Sequence, residues 1–207
     1  MLAVFSTPQN AEATNRHLQQ YVDALFSVFP ANISPTQFRL AFKTLLQVAS
    51  PPSPLSASQP LLAPVLLELL YERTQTASAE LLLRQSSNAT EKQDPHNTIP
   101  LSEQAVLVLT LLDTLTHITL ELLDEWLPPM ADLVNSIEDA MIREHCKEHF
   151  WHLLVDGGMD PERSRVCHAW WSTAGGYEQL VHGRMDEAPA QQTMSGALIK
   201  SETPSKL

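Results

Sequence analysis

Apolar residues in this chain recur every three or four positions, in runs that stop at proline, and that punctuated periodicity leaves room for little besides short helices. Between residues 12 and 29, Leu18, Tyr21, Val22, Leu25, Phe26 and Phe29 fall on one helical face, and Pro30 ends the run. Ser34-Pro35 then supplies an N-cap with proline at the first helical position. A second helix is expected to about residue 48, burying Phe38, Leu40, Ala41, Leu45, Leu46 and Val48. No stretch alternates apolar with polar, as a half-buried strand would. Six glycines, sparse Val and Ile, and 43% hydrophobic residues rich in Leu and Ala complete a helical composition.

The prolines also mark the joints. Residues 50–60 (SPPSPLSASQP) read as a hinge, followed by a helix over 61–73 that carries Leu62, Val65, Leu66, Leu69 and Leu70. A shorter helix is expected over 77–84, and the polar segment 86–100 reads as a mobile loop. Ser102-Glu103 opens the longest predicted helix, to about Trp126, apolar nearly all round and therefore central and buried. Pro128-Pro129 should break it. A further helix is expected over 132–155, ending at Gly157-Gly158, and another from Asp160-Pro161-Glu162 through Trp171, ending at Gly175-Gly176. Residues 177–181 add a turn. The expectation is an all-α fold, an irregular α-solenoid or a bundle of stacked antiparallel helices. It comprises a helical domain over 1–183 and a disordered polar tail over 184–207.

Charge and motifs exclude several classes of function. A formal net charge of −11 without any basic cluster argues against nucleic acid and against anionic lipid. No segment has the ~18 uninterrupted apolar residues of a spanning helix, and the N-terminus lacks the basic region of a secretory signal. The chain is expected to be peripheral to a membrane at most. There is no Gly-x-Ser-x-Gly elbow and no glycine-rich phosphate loop, so neither a catalytic residue nor a cofactor is assigned. Cys146 and Cys167 are expected as free, partly buried thiols. Cys167-His168 cannot form a dyad by itself, since adjacent helical residues point about 100° apart.

Four groups of residues remain. His145, His149 and His152, at i, i+4 and i+7, share a helical face and form a weak candidate set for Zn²⁺. A solvated face whose histidines pair with Glu144 and Glu148 outweighs that reading. Trp170 and Trp171 must point apart on a helix, one to the core and one to the surface, where a tryptophan is a candidate partner anchor. Between residues 101 and 142 stand eight acids and no Lys or Arg, read as a solvated acidic face ahead of an acidic docking surface. Terminal Ser205-Lys206-Leu207 is the sharpest signal: it is a peroxisomal address, read by a tetratricopeptide receptor through a free carboxylate, a basic side chain and a terminal Leu.

Several stretches carry a resemblance. Ile33-Ser34-Pro35-Thr36-Gln37-Phe38-Arg39-Leu40-Ala41, Lys43-Thr44-Leu45-Leu46, the segments 50–56 and 59–63, and Ala169-Trp170-Trp171-Ser172-Thr173 with Gly175-Gly176, together with Ser205-Lys206-Leu207, resemble the C-terminal part of the eighth peroxin of filamentous fungi. The likeness covers residues 33 to about 72, 101 to about 182 and the last three. It implies a non-enzymatic import factor peripheral to the matrix side of the peroxisomal membrane. Such a factor binds the cycling targeting-signal receptor, assists cargo release, and links the docking complex to the RING-finger complex. Only Ser205, Lys206 and Leu207 carry over as functional residues, and this chain is shorter than that family, lacking a large N-terminal portion. The alternatives are a small peroxisomal matrix enzyme or metal-binding protein imported as ordinary cargo, and a targeted fragment inert by itself.

Overall fold

A computed structural model of the chain describes residues 11–82, 100–156 and 158–183. Among these residues there are nine α-helices, one short 3-10 turn and no strand beyond a single antiparallel bridge between Leu81 and Ser102. The all-α expectation is met. The helices are α1 (Ala11–Val28), α2 (Pro35–Ala49), α3 (Pro54–Ser58), α4 (Leu62–Gln75), α5 (Glu103–Asp113), α6 (Leu120–Asn135), α7 (Ala140–Asp156), α8 (Pro161–Thr173) and α9 (Gly176–His182). Among them, none is long and apolar enough to cross a membrane.

α5 is the central pillar. Every residue from Ala105 to Leu112 is buried, because α2, α4, α6 and α7 all pack around it. Its N-terminus is capped by Ser102, whose Oγ accepts from the Ala105 amide at 3.1 Å. Glu103, buried in the first turn where the helix dipole favours an anion, accepts from Arg73 of α4 at 2.6 Å. α8 and α9 lie on the far side of α6, so a second group of helices (α6 to α9) adjoins the α1–α5 group where α6 and α7 both pack on α5.

The helix starts follow their caps. Ser34 forms the full capping box with Gln37, and Asp160 accepts from the Glu162 and Arg163 amides ahead of Pro161. Elsewhere the structure corrects the sequence expectations. The hinge at 50–60 contains α3, capped by Ser53 and anchored by fully buried Leu55. The face of α2 turned to the core is Phe38, Phe42, Leu45, Leu46 and Ala49, whereas Leu40 is 66% exposed. Phe38 stacks on Phe29 and Phe42, Phe26 packs tilted against Phe38 and Phe42, and this aromatic group sets the rotation of α2. Likewise α4 buries Ala63, Leu66, Leu67, Leu70 and Thr74, and leaves Val65 and Leu69 exposed.

The predicted helix to Trp126 is in fact two. Thr114 closes α5 with its hydroxyl on the Leu111 carbonyl, a 3-10 turn follows at Leu115–His117, and α6 starts after Thr119. The bend is held from outside, since the Ile118 carbonyl accepts from Arg163 Nε at 3.0 Å. Pro128-Pro129, expected to break the helix, lie inside α6. An interior proline costs about 3 kcal/mol, and two circumstances offset it here. The carbonyls left without partners belong to Asp124 and Glu125, which are exposed and open to water. Leu123, Leu127, Met130, Ala131 and Val134, on both sides of the prolines, are buried in the same core. The helix predicted over 132–155 is likewise divided, between α6 and α7, by the segment 136–139. There Asp139 Oδ1 caps Ile142 and Arg143 donates to the Ile137 carbonyl. Residues 77–82 form no helix: bends lead to the Leu81 bridge. The rest of that expected helix, residues 86–99 of the expected loop, and the tail 184–207 lie outside the described residues.

Candidate interaction surface

Three ring-bearing helices meet on the α7–α9 side. On α7, Ile142, Cys146, Phe150 and Leu154 face the core at fourfold spacing, which turns Trp151 outward. On α8, Trp170 goes in and Trp171 lies half out, as their adjacency requires. Trp170, 4% exposed, stacks on Phe150 with ring centroids 5.7 Å apart. Trp171 meets Trp151 at 4.7 Å and takes Tyr177 of α9 edge-on at 5.3 Å and 78°. Tyr177 in turn meets His182 at 6.4 Å. Trp151 and Tyr177 are 41% and 46% exposed, so their rings form a corner open to solvent.

The seven-residue α9 is too short to hold itself in place, and side chains from two other helices pin it. Gln179 donates to the Pro128 carbonyl at 3.0 Å and to Asp132 at 2.6 Å, and its own carbonyl accepts from Asn135 at 2.7 Å. Lys147 of α7 donates to the Val181 carbonyl at 3.1 Å. Gly175, at φ 78°, makes the left-handed turn that starts α9. A Cβ on Gly176 would lie 2.6 Å from the Trp170 indole, so glycine is what lets α9 lie flat on that ring.

The histidine face resolves into separate contacts. His149 Nε2 lies 2.8 Å from Asp113 Oδ1, and because a carboxylate only accepts, that nitrogen carries the proton. Arg39 of α2 donates to the other Asp113 oxygen at 2.9 Å through Nε. Burial pushes the Asp113 carboxyl up, but the hydrogen bond from His149 and the charge of Arg39 outweigh it and hold its pKa below the usual carboxylate value. His152 pairs with Glu148 at 3.8 Å on the surface. His145 has its pKa lowered, by burial first and then by His149. Among the described residues no three His, Cys, Asp or Glu side chains are placed to hold a metal ion. Burial raises Cys146 to about 12 and Cys167 to about 11, so both thiols stay protonated and inert at neutral pH. Both lie fully inside the core, deeper than the sequence suggested.

The eight acids of 101–142 do not form one surface. Glu103, Asp113, Asp132 and Asp139 are spent on Arg73, Arg39 with His149, Gln179 and the α7 cap. Glu121, Asp124, Glu125 and Glu138 remain exposed. Sequence reasoning singled out Trp170 and Trp171 but missed Trp151 and Tyr177 as their surface partners. The signal was present in part, since Trp151 follows the core residue Phe150 by one position and must therefore face elsewhere. Ser205, Lys206 and Leu207 lie outside the described residues.

Comparisons with known proteins converge. The family model described as the PEX8 C-terminal domain matches residues 12–180. A curated relative, the peroxisomal membrane protein PEX17 of Yarrowia lipolytica, is 23% identical over 181 residues, which make up 83% of this chain and 26% of the relative. The chain thus spans about a quarter of the length of the relative it matches. No solved structure matches it.

Proposed function

Since this chain belongs to the PEX8 C-terminal domain family, a peroxin family of peroxisome biogenesis and import, we propose that it works as a non-enzymatic import factor on the matrix side of the peroxisomal membrane. The observation that carries the reading is the reach of the family match, residues 12–180, which is the helical body itself. In this reading the body is a scaffold that engages the cycling targeting-signal receptor. It assists cargo release, or links the docking and RING-finger complexes.

Two kinds of contact divide the work. Ser205-Lys206-Leu207 offers the tetratricopeptide receptor a carboxylate, an ammonium and a terminal Leu side chain. The helical body supplies a second contact, and the exposed rings of Trp151 and Tyr177 beside Trp171 suit that role. Aromatic side chains offer large contact area for little conformational entropy, and a pinned scaffold loses little more on binding.

Calorimetric titration tests this. The purified chain, with and without Ser205-Lys206-Leu207, is titrated with the isolated tetratricopeptide domain and with the full-length receptor. The truncated chain is expected to lose the isolated domain and keep measurable affinity for the full-length receptor. Loss of both would make the chain an ordinary cargo and end the scaffold reading.

A further inference from the structure

The aromatic corner has a charge environment as specific as its shape. Three of the four Lys and Arg side chains of α7–α9 are tied to backbone carbonyls, Lys147 and Arg163 while also paired with acids. Arg143 donates to the Ile137 carbonyl, Lys147 to the Val181 carbonyl while pairing with Glu144, and Arg163 to the Ile118 carbonyl while pairing with Asp160. Arg165 precedes Trp171 by six positions, about 240° round the helix, and so leaves from another face. Two acids are exposed close by in the chain: Glu148, which shares a face of α7 with Trp151 three positions on and has His152 at 3.8 Å, and Glu178 on α9. The chain as a whole carries a net charge of −11.

Ring faces attract cations through their quadrupole, indole best of all. Here two indoles and a phenol come from three different helices, with Trp171 and Tyr177 nearly perpendicular and Trp151 tilted by 42°. Val155, four positions after Trp151 and exposed, extends the apolar floor. That combination of flat π faces, an apolar strip and an acidic surround matches a long aliphatic side chain with a cationic end.

We propose that the corner formed by Trp151, Trp171 and Tyr177 is a docking site for a basic segment of a partner protein. The segment lays a Lys or Arg head on the exposed rings and its alkyl stem along Val155. The site is preformed, because Gln179, Lys147 and the close Gly176–Trp170 approach hold Tyr177 over Trp171 before anything binds. The proposal is independent of the receptor reading, since it concerns the chemistry of the bound segment whichever protein carries it.

The test is a fluorescence titration of the full chain with two acetylated, amidated heptapeptides, Ala-Lys-Ala-Arg-Ala-Lys-Ala and the same sequence with norleucine at each cationic position. The cationic peptide is expected to shift tryptophan emission and to bind at least about tenfold more tightly than the norleucine peptide. Trp151→Leu and Tyr177→Leu should each weaken it about threefold, while Tyr177→Phe, which keeps the ring face, should retain it. Both side chains are surface residues, so unchanged melting curves will certify the variants; the peptide pair on the unaltered chain decides the matter without them. Equal affinity for the two peptides, or no binding of the cationic one up to millimolar concentration, would overturn the proposal. So would cationic binding unaffected by Trp151→Leu and Tyr177→Leu, which would mean diffuse attraction to the acidic surface. Co-sedimentation with neutral phosphatidylcholine vesicles, lost on Trp151→Leu, would assign the corner to a lipid surface instead.

Discussion

Asp113 is the side chain on which three helices agree. It ends α5, receives Arg39 from α2 and His149 from α7, and its side chain keeps only 15% of its surface in water. Charge-assisted hydrogen bonds in such a setting are stronger than neutral ones, and removing the charge leaves Arg39 and His149 half-buried around an amide. Asp113→Asn, which keeps the shape, is therefore expected to destabilise the fold by about 1–3 kcal/mol in urea denaturation. Arg39→Ala on top of it should cost less than it does in the unaltered chain. Additive losses would show that the clamp is not a unit. None of this was legible beforehand. His149 stood out in the sequence, but with His145 and His152, and its real partner lies 36 positions away.

Elements show where local rules hold and where packing overrides them. Ser34, Ser53, Ser102 and Asp160 cap helices as their side-chain chemistry predicts, because capping needs only residues two or three apart. Rotation and continuity are another matter. Leu40 and Phe42 are both apolar and two positions apart, so they cannot share a face, and packing with Phe26 and Phe38 chose Phe42. Pro128-Pro129 carry a local breaking signal that burial on both sides outweighs. At α9 the decisive residue is Gly176. Gly176→Ala should push α9 off Trp170 and cost about 1–3 kcal/mol. Near-ultraviolet circular dichroism should change as Tyr177 leaves Trp171, while far-ultraviolet helicity is nearly unchanged. An unaltered near-ultraviolet spectrum would count against the described approach.

At the scale of the whole molecule, one continuous core joins side chains from α1 to α9, so heating is expected to melt the described body in a single transition. The stability of that body should fall on acidification. Burial first, then Lys43 and Arg163, hold His117 below its ordinary 6.5. Burial and His149 do the same to His145. Below 6.5 the unfolded chain takes up protons that these folded sites refuse, so stability is lost as pH falls from there towards the folded values. Asp113, whose folded pKa is depressed, adds a further loss on the acid side of the carboxylate range. Melting temperatures should thus be flat near pH 7.5 and decline towards pH 5.5, with a shallower decline in His117→Asn. A rise over that interval would refute the assignment.

Periodicity, caps and the scarcity of Gly, Val and Ile sufficed to determine an all-α fold, a buried central helix opened by Ser102-Glu103, and most helix starts, because these depend on interactions within a few residues. The different directions of Trp170 and Trp171 followed from helix geometry alone. Only the tertiary structure decided which apolar stripe of α2 and α4 faces inward, that Thr114–Thr119 bends the chain while Pro128-Pro129 do not, and that Trp151 and Tyr177 join Trp171 at one corner. Those outcomes rest on contacts between residues far apart in sequence, where burial against a particular neighbour outweighs local preferences of similar size.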